Sequence, residues 1–304
     1  MPGKPYIAVV GGMNMDITGS VTSSLIPGDS NPGKVTMTPG GVGRNIAENI
    51  ARLGYPVTLI TALGDDAHTP EMRRHCASCG IDLSYSGVIL GVPSGTYLCI
   101  NDLNGDCVCA VSDMDVCSHI TPEYLEMRMQ VLERAQMVIV DANLPQDSLE
   151  YLCRRITAPV VADPVSSKKS LRLTSILPSL YAIKPNRQEA ALLSGIEIRS
   201  HEDYAPAAEA LLEKGVRNVF ITLGSEGVYY ASDSVHGIQP CMPGKVINTN
   251  GCGDAFLAAS AVALLEGKNI AEAARIGQAA SAVCASSEKA VSLDMRMESL
   301  ENYY

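Results

Sequence analysis

The alternation of short, β-branched apolar runs with segments of helical periodicity constrains the fold of this chain more than any other feature. Six runs are predicted to be buried strands, at residues 6–10, 57–61, 137–141, 160–163, 181–184 and 219–223. Each run is brief and mostly apolar on both faces, as are strands of a parallel sheet that is covered on both sides. The pattern predicts an α/β fold, a three-layer sandwich with a mostly parallel central sheet between two layers of helices.

Helical periodicity fills most of the sequence between these runs. Helices are predicted near residues 43–53, 66–78, 121–134, 147–155, 187–194, 203–214, 254–266 and 270–286. Thr121 and Pro122 form a good helix start, because Thr caps a first turn and Pro suits its first position. The chain of 304 residues contains no linker or low-complexity tract, so we predict a single domain over residues 1–304.

Two segments break the alternation. Residues 17–38 are rich in Ser, Thr, Gly and Pro and show little helical periodicity. Residues 95–116 read as a hairpin with strands at 96–102 and 107–112 around Asn104-Gly105, a dipeptide that favours tight hairpin turns. We predict that both segments are inserted strands of a small β-sheet lid over a binding site.

Composition and charge argue against several classes of function. The net charge of −10 opposes a phosphate backbone, so a general nucleic-acid binder is not expected. No stretch approaches 18 apolar residues, and the first apolar run is too short for a signal-peptide core, so we expect neither membrane insertion nor export. Ten cysteines scattered through apolar segments are typical of reduced thiols, which predicts a cytoplasmic location. Cys76 and Cys79 follow His75, but no second CxxC pair exists to complete a zinc site.

A glycine-rich turn precedes the Ala-rich helix that is predicted at 254–266. Gly251, Cys252 and Gly253 let backbone amides converge at the helix N-terminus, where the helix dipole favours an anion. Asp254 would repel a phosphate there unless it takes a proton from an attacking hydroxyl as the phosphoryl group arrives. Alternatively, Asp254 simply caps the helix, and the spacing alone does not decide between the two.

Two further turns near the N-terminus could hold a small polar ligand. Gly40-Gly41 allows close approach to the backbone, and Asn45 offers a donor and an acceptor from the first turn of the next helix. Asn14 and Asp16 follow the first strand, where open α/β sheets bind ligands, and Asp16 could accept hydrogen bonds from two sugar hydroxyls. Each feature is also common in loops without a function. The sequence from Gly28 to Lys34 matches a P-loop, but Val35 stands where Ser or Thr should follow, so we reject that reading.

Asn186 and Glu189 lie three residues apart at the start of a predicted helix. This spacing places both on one face of the first turn, where Glu189 could hold hydrated Mg²⁺. A capping box explains the same spacing without any function. Thr222, Gly224 and Gly227 follow another strand and could wrap a nucleotide.

Taken together, these motifs resemble those of the ribokinase-like (PfkB) family of sugar and nucleoside kinases. Five ordered matches, each after a predicted strand, extend over most of the chain: Asn14-x-Asp16, Gly40-Gly41 with Asn45, Asn186-x-x-Glu189, Thr222-Leu223-Gly224 and Gly251-x-Gly253-Asp254. The resemblance implies a ribokinase-like sandwich, a kinase activity, and ATP and Mg²⁺ as cosubstrate and cofactor. It also implies a homodimer that forms through the β lid.

The resemblance assigns expected roles to these residues. Asp254 would be the base, and the amides of Gly251, Cys252 and Gly253 would form the anion hole. The sugar or nucleoside would contact Asn14, Asp16, Gly40, Gly41 and Asn45, with Ser30, Asn31, Asp113 and Lys169 as further candidates. ATP would lie against Asn186, Thr222, Gly224 and Gly227, with Glu189 on the magnesium side.

Details of the motifs favour a nucleoside substrate over a free sugar. Ribokinases commonly read GGKGAN, whereas this chain has Val42 in place of the Lys, which makes that wall apolar and suited to a nucleobase. The stretches 29–34, 38–47, 163–166 and 184–187 are most similar to those of family members that phosphorylate pseudouridine at its 5′-hydroxyl. Ribose or another nucleoside is the alternative substrate, and a catalytically silent nucleotide sensor is the alternative class. Asn248 replaces an acidic residue of many relatives, which argues against K⁺ activation.

Overall fold

The structure is a computed structural model that describes residues 5–303. Its strands are β1 (Ile7–Val10), β2 (Asn14–Val21), β3 (Gly33–Gly40), β4 (Val57–Ile60), β5 (Ala62–Gly64), β6 (Ile81–Asp82), β7 (Gly87–Ile89), β8 (Gly95–Asn101), β9 (Cys107–Asp113), β10 (Met137–Asp141), β11 (Val160–Asp163), β12 (Ala182–Ile183), β13 (Asn218–Thr222), β14 (Val228–Ser232) and β15 (His236–Gln239).

Helices connect most of these strands. The α-helices are α1 (Val42–Arg52), α2 (Thr69–Ser78), α3 (Pro122–Glu126), α4 (Met129–Leu132), α5 (Gln146–Arg155), α6 (Ser167–Ser170), α7 (Arg187–Ser194), α8 (Tyr204–Glu213), α9 (Cys252–Leu265), α10 (Ile270–Ala285) and α11 (Met297–Glu301). Short 3₁₀ helices occur at Asp115–His119, Leu171–Ser179, His201–Asp203 and Gly224–Glu226. Within residues 5–303 no helix is both long enough and apolar enough to cross a lipid bilayer.

The central sheet confirms the predicted α/β architecture. Nine strands lie in the order β15-β14-β13-β12-β11-β10-β1-β4-β6, and all pairs are parallel except those that β14 makes with β13 and β15. All six predicted strands are present, and the antiparallel pair at the edge was not predicted. From β1 the chain continues to β4 on one side, whereas β10 and the later strands lie on the other. The sheet therefore has a topological switch point between β1 and β10, where open α/β sheets bind ligands.

Two buried clusters of apolar side chains hold the helices onto the sheet. Ile7 and Val9 of β1 pack into one cluster, together with Ile46 of α1 and Phe256 of α9. Ala8 and Val10 point to the opposite face and pack into the other cluster, which includes residues of α3, α5 and α8. Because successive residues of a strand point to opposite faces, β1 contributes to both clusters and the fold has three layers.

A separate four-stranded sheet, with the order β3-β2-β8-β9, extends from this sandwich. The predicted hairpin is confirmed, since β8 and β9 pair antiparallel on either side of the Asn104-Gly105 turn. We call this sheet the lid sheet. It joins the sandwich directly, because only Gly11, Gly12 and Met13 separate β1 from β2.

The prediction of one helix over 121–134 is wrong. Thr121 caps the helix as expected by accepting a hydrogen bond from the Tyr124 amide, but α3 ends at Glu126 and α4 begins at Met129. Arg128 between them leaves the helical conformation, stacks 3.3 Å from the centre of the Tyr124 ring and donates to the Tyr85 carbonyl. These tertiary contacts compensate for the lost helical turn.

Candidate active site

The candidate site lies at the carboxyl ends of β1 and β10, at the switch point of the sheet. Asp141 ends β10 and is 1% exposed. Its carboxylate accepts hydrogen bonds from the amides of Gly12 (2.7 Å) and Asn143 (2.9 Å). Burial raises the pKa of Asp141 to about 6, despite these two amides, which lower it. Asp141 thus ties the turn after β1 to the turn after β10.

Asn14 and Asp16 begin the strand that leads into the lid sheet. Asn14 donates a hydrogen bond of 2.6 Å to Asp16, and burial raises the pKa of the Asp16 carboxyl. Asn14 pairs with Gly40 of β3 across the sheet. Both carboxylate oxygens of Asp16 lie in the space that a side chain at Gly40 would occupy. Gly41 has φ 98°, and a Cβ there would approach the Gly12 carbonyl oxygen to 2.6 Å. The double glycine is required because it brings β2 and the start of α1 into close contact.

Asp254 lies in the first turn of α9, after a glycine-rich turn. Gly251 precedes the helix with φ 81°, a left-handed conformation that favours glycine. Asn45 of α1 donates a hydrogen bond of 2.7 Å to Asp254 Oδ2. The structure therefore joins two motifs that are 209 residues apart in the sequence.

The surroundings of Asp254 shift the pKa of its carboxyl group into the neutral pH range. The pKa of Asp254 is raised to about 7, chiefly because protein fills most of the volume around the half-buried carboxyl and desolvates it. The Asp163 carboxylate also raises this pKa, whereas the Asn45 hydrogen bond and the charges of Lys184 and Arg44 lower it. A carboxylate with a pKa near the working pH is well suited to accept a proton from a hydroxyl.

Lys184 and Asp163 are two site residues that the sequence analysis did not select. Asp163 ends β11, and Lys184 directly follows the neighbouring strand β12. Lys184 Nζ lies 3.2 Å from Asp163 Oδ2. Lys184 is 7% exposed, and a Cβ placed on Gly253 would lie 3.1 Å from its ammonium nitrogen. Burial lowers the pKa of Lys184, but the carboxylates of Asp163, Glu189 and Asp254 raise it above its usual value. A charged ammonium group therefore lies beside the turn that is expected to bind a phosphoryl group. Two signals were available: both residues lie at strand ends, and both begin stretches that carry the family resemblance, 163–166 and 184–187.

Asn186 and Glu189 form a capping box, which is one of the two interpretations of their spacing that the sequence allows. The Asn186 side chain accepts from the Glu189 amide, and Glu189 Oε2 accepts from the Asn186 amide at 2.8 Å. Thr222 pairs with Asn186 in a parallel β-bridge, so both expected nucleotide motifs are side by side. Gly224 and Gly227 follow in left-handed backbone conformations, at φ 63° and 105°.

Lys169 and Asp113 lie near the base of the lid sheet. Lys169 donates a hydrogen bond of 2.6 Å to Asn143, and the two line a cavity of about 310 Å³ together with Ser112, Met114, Asp115, Ser118, Pro145 and Arg172. Asp113 ends β9 and pairs with Thr96 of β8. The preceding residue, Gly95, begins β8 and pairs with Asn14 of β2. Asn143 is a further residue that the sequence analysis missed, although it too follows a strand end.

Ser30 and Asn31 lie apart from the other candidates. They belong to the turn between β2 and β3, at the opposite end of the hairpin from Asn14. Val21 lies seven residue positions along the extended strand from Asn14, a distance of about 23 Å. The Asn31 side chain is hydrogen-bonded within its own turn, to the backbone of Ile26 and Asp29.

Comparison with known proteins gives a consistent result. A family model described as pfkB family carbohydrate kinase matches residues 4–295. The chain is 34% identical to a pseudouridine kinase of Escherichia coli over 287 residues, which covers 94% of this chain and 92% of that protein. It is 30% identical to a ribokinase of Bacillus subtilis over 285 residues, with coverage of 91% and 92%.

Solved structures show the same architecture. A ribokinase of Thermotoga maritima superposes with a TM-score of 0.86 at 26% identity, and the match covers 98% of this chain and 99% of that chain. The similarity includes the lid sheet as well as the sandwich, since almost the whole of both chains is matched.

Proposed function

Because the chain belongs to the pfkB family of carbohydrate kinases, we propose that it transfers the γ-phosphoryl group of ATP to the 5′-hydroxyl of pseudouridine. The products are pseudouridine 5′-phosphate and ADP. The observation that carries this proposal is the contact between Asn45 and Asp254 at the switch point of the sheet, beside the glycine-rich start of α9.

In the proposed reaction, Asp254 accepts the proton of the 5′-hydroxyl as that oxygen bonds to the γ-phosphorus and the bond to the β–γ bridging oxygen breaks. The amides of Gly251, Cys252 and Gly253 stabilise the charge on the transferring group, with the Cys252 amide exchanging its 3.3 Å hydrogen bond to the Thr249 carbonyl for this contact. Each such donor is worth about 3 kcal/mol in comparable sites. Asn14 and Asp16 hold the ribose hydroxyls, with Gly40 and Gly41 against the sugar.

The nucleotide side of the site suits ATP with magnesium. The hydrogen bond from the Asn186 amide engages Glu189 Oε2, which leaves Oε1 as a hard oxygen donor for hydrated Mg²⁺. When bound, Mg²⁺ neutralises charge on the phosphates. Thr222, Gly224 and Gly227 would contact the nucleotide, and the structure's β-bridge between Asn186 and Thr222 supports one continuous binding surface. We do not propose K⁺ activation, because the side-chain nitrogen and the side-chain oxygen of Asn248 each already form a hydrogen bond.

We assign the nucleobase to the cavity beside Lys169, Asn143 and Met114. Its polar and cationic side chains suit the carbonyl oxygens of a uracil ring. For Ser30 and Asn31 to contact the base, their turn has to approach the site from the far end of the hairpin. Ribose is the second candidate substrate, favoured by the similarity to ribokinases.

We further propose that the chain forms a homodimer through the outer face of the lid sheet. One row of paired positions on that face consists of Met37, Ile17, Leu98 and Val111. Met37, Leu98 and Val111 are 50%, 41% and 59% exposed, and Ile17 packs partly against the core. Asn14 and Asp16 point to the opposite face from Ile17, because successive residues of a strand alternate between faces. Leu98→Asp should convert a dimer to a monomer in light scattering, and a monomeric wild type at micromolar concentration would refute this assembly.

The test of function is ADP release from Mg-ATP with pseudouridine, uridine, ribose and adenosine, for the wild type and Asp254→Asn. We expect selective turnover of pseudouridine that the variant loses. A preference for ribose or adenosine would refute the substrate assignment while retaining the kinase. Tight ATP binding without turnover of any of the four would indicate a nucleotide sensor instead.

A further inference from the structure

Arg44, in the first turn of α1, is a buried cation next to the proposed base. It is 3% exposed, although arginine is rarely buried without partners. Its guanidinium donates to the Pro39 carbonyl at 2.7 Å, to Glu48 Oε2 at 2.5 Å, and to the side-chain oxygen of Asn45. Arg44 therefore contacts the end of β3 at Pro39, its own helix and the residue that touches Asp254.

These contacts fix which way the Asn45 amide points. A guanidinium can only donate hydrogen bonds, so the group of Asn45 that faces Arg44 is the acceptor Oδ1. The donor Nδ2 must then point the other way, and it donates to Asp254 Oδ2 at 2.7 Å. Without Arg44, the amide could rotate and present its oxygen to the carboxylate, which would repel it.

Arg44 is itself held by Glu48, one helical turn further along α1. Glu48 is 2% exposed and also accepts from Arg52 (2.8 Å) and contacts His75 (2.8 Å). Burial alone would raise the pKa of Glu48, but the His75 hydrogen bond, the Arg44 charge and the Arg52 hydrogen bond together lower it well below its usual range. Glu48 is thus an anion that keeps Arg44 in place.

We propose that Arg44 is a positioning residue that orients the Asn45 amide and, through it, the Asp254 carboxylate. The inference rests on the proposed function of Asp254 as base. The charged groups that face Asp254 are Asp163 from the end of β11, Lys184 after β12 and Arg44 from α1. Removal of Arg44 withdraws one positive charge and one fixed hydrogen-bond donor from this set.

The test compares Arg44→Met and Arg44→Lys with Arg52→Met. Arg52 is the matched control, because it binds the same Glu48 carboxylate but contacts neither Asn45 nor the end of β3 at Pro39 in the contacts described. We expect a fall in kcat of at least about 30-fold for both Arg44 variants, and an upward shift of about half a pH unit in the acidic limb of kcat/KM for Arg44→Met. Arg52→Met should stay within about threefold of the wild type, with no shift of that limb.

A double-mutant cycle tests whether Arg44 acts through Asn45. If it does, the variant with both Arg44→Met and Asn45→Ala is no slower than Asn45→Ala alone. Multiplied losses in the double variant, or an Arg44→Lys enzyme with unchanged kcat and pH profile, would overturn the proposal.

A titration of the Asp254 carboxyl carbon by NMR needs no turnover, so it separates this inference from the proposed function. A higher Asp254 pKa in Arg44→Lys than in Arg52→Met supports the positioning role even if pseudouridine is not the substrate. Equal Asp254 pKa values in all proteins, with Arg44→Met folded and active, would show that Arg44 is only structural.

Discussion

Lys184 and Asp163 form an ion pair across the ends of two neighbouring strands, with the ammonium nitrogen 3.2 Å from Asp163 Oδ2 and close to Gly253. The pair places a positive charge close to both the proposed base and the proposed anion hole. A buried charge is costly without a partner, and the Asp163 carboxylate is that partner for the Lys184 ammonium group. We infer that the ammonium group, held at the end of a strand in this way, contributes to the binding of an anion.

We predict that Lys184→Met weakens ATP binding at least tenfold but changes ADP binding less, as measured by calorimetry. The reason is that the lost ammonium group would face the terminal phosphate. The control is a protein with both Asp163→Asn and Lys184→Met, in which no unpaired Asp163 charge remains. If this double variant regains wild-type ATP affinity, Lys184 serves only as the counter-ion of Asp163.

The pKa of Asp254 predicts a pH profile. A base must be deprotonated, so kcat/KM should rise from pH 5 to pH 8 with a midpoint near pH 7, the value to which burial raises the Asp254 pKa. Asp254→Asn should lose at least about 10³-fold in kcat, and its residual rate should not show this limb. A wild-type midpoint near pH 4, typical of an exposed carboxyl, would contradict the assignment.

A methyl group at Gly40 should impair recognition of the sugar. Its carbon would occupy the space of the Asp16 carboxylate, so Gly40→Ala must displace that carboxylate. We expect KM for the nucleoside to rise at least tenfold while ATP binding stays unchanged. Gly19→Ala, on the same strand β2 as Asp16, is the control, because its added carbon meets mainly the flexible end of Ile100. Equal KM values for the two variants would show that Asp16 does not bind the sugar.

Two thiols beside the glycine-rich turn predict sensitivity to oxidation. A hydrogen bond with Cys284 lowers the pKa of Cys252, which favours the reactive thiolate. Peroxide should oxidise Cys252 to the sulfenic acid, and Cys284 should then displace water to form a disulfide. We expect Cys252→Ala to keep its activity in peroxide under conditions that inactivate the wild type, and mass spectrometry should find the bridged peptides only in the wild type. Equal rates of inactivation would exclude this route.

The cluster of Glu48, His75 and Cys79 predicts how stability depends on pH. Hydrogen bonds with Cys79 and Glu48 raise the pKa of His75 to about 9, against about 6.5 when unfolded. The raised pKa therefore contributes stability that is complete below pH 6.5 and is lost as the pH rises through 9. Denaturant unfolding of His75→Ala should show a loss of about 1–2 kcal/mol at pH 6 and almost none at pH 10. A loss that is independent of pH would indicate packing alone.

Much of the fold follows from local patterns in the sequence. The runs at 137–141 and 160–163 coincide with β10 and β11, since a buried parallel strand needs apolar residues on both faces. The hairpin around Asn104-Gly105 follows from its turn residues. The break at Arg128 could not be predicted, because it depends on contacts with Tyr85 and the Tyr124 ring in space.

The site was less predictable than the fold. Asn45 and Asp254 were selected from separate motifs, and only the structure shows their hydrogen bond. Asp163 and Lys184 begin two of the stretches that carry the resemblance, 163–166 and 184–187, but only the structure brings them, with Asn143, to the ends of strands that meet at one edge of the sheet. Asn186 and Glu189 show the converse, since a capping box accounts for their spacing and the magnesium role remains a proposal.

The short connection from β1 to the lid sheet has a kinetic consequence. Asn14 and Asp16 belong to a strand that starts three residues after the core strand β1, so the groups proposed to hold the sugar are also the root of the lid. The lid sheet cannot move away from the sandwich while Asn14 and Asp16 remain hydrogen-bonded to the sugar. Escape of a bound nucleoside and opening of the lid should therefore be a single event with one rate constant.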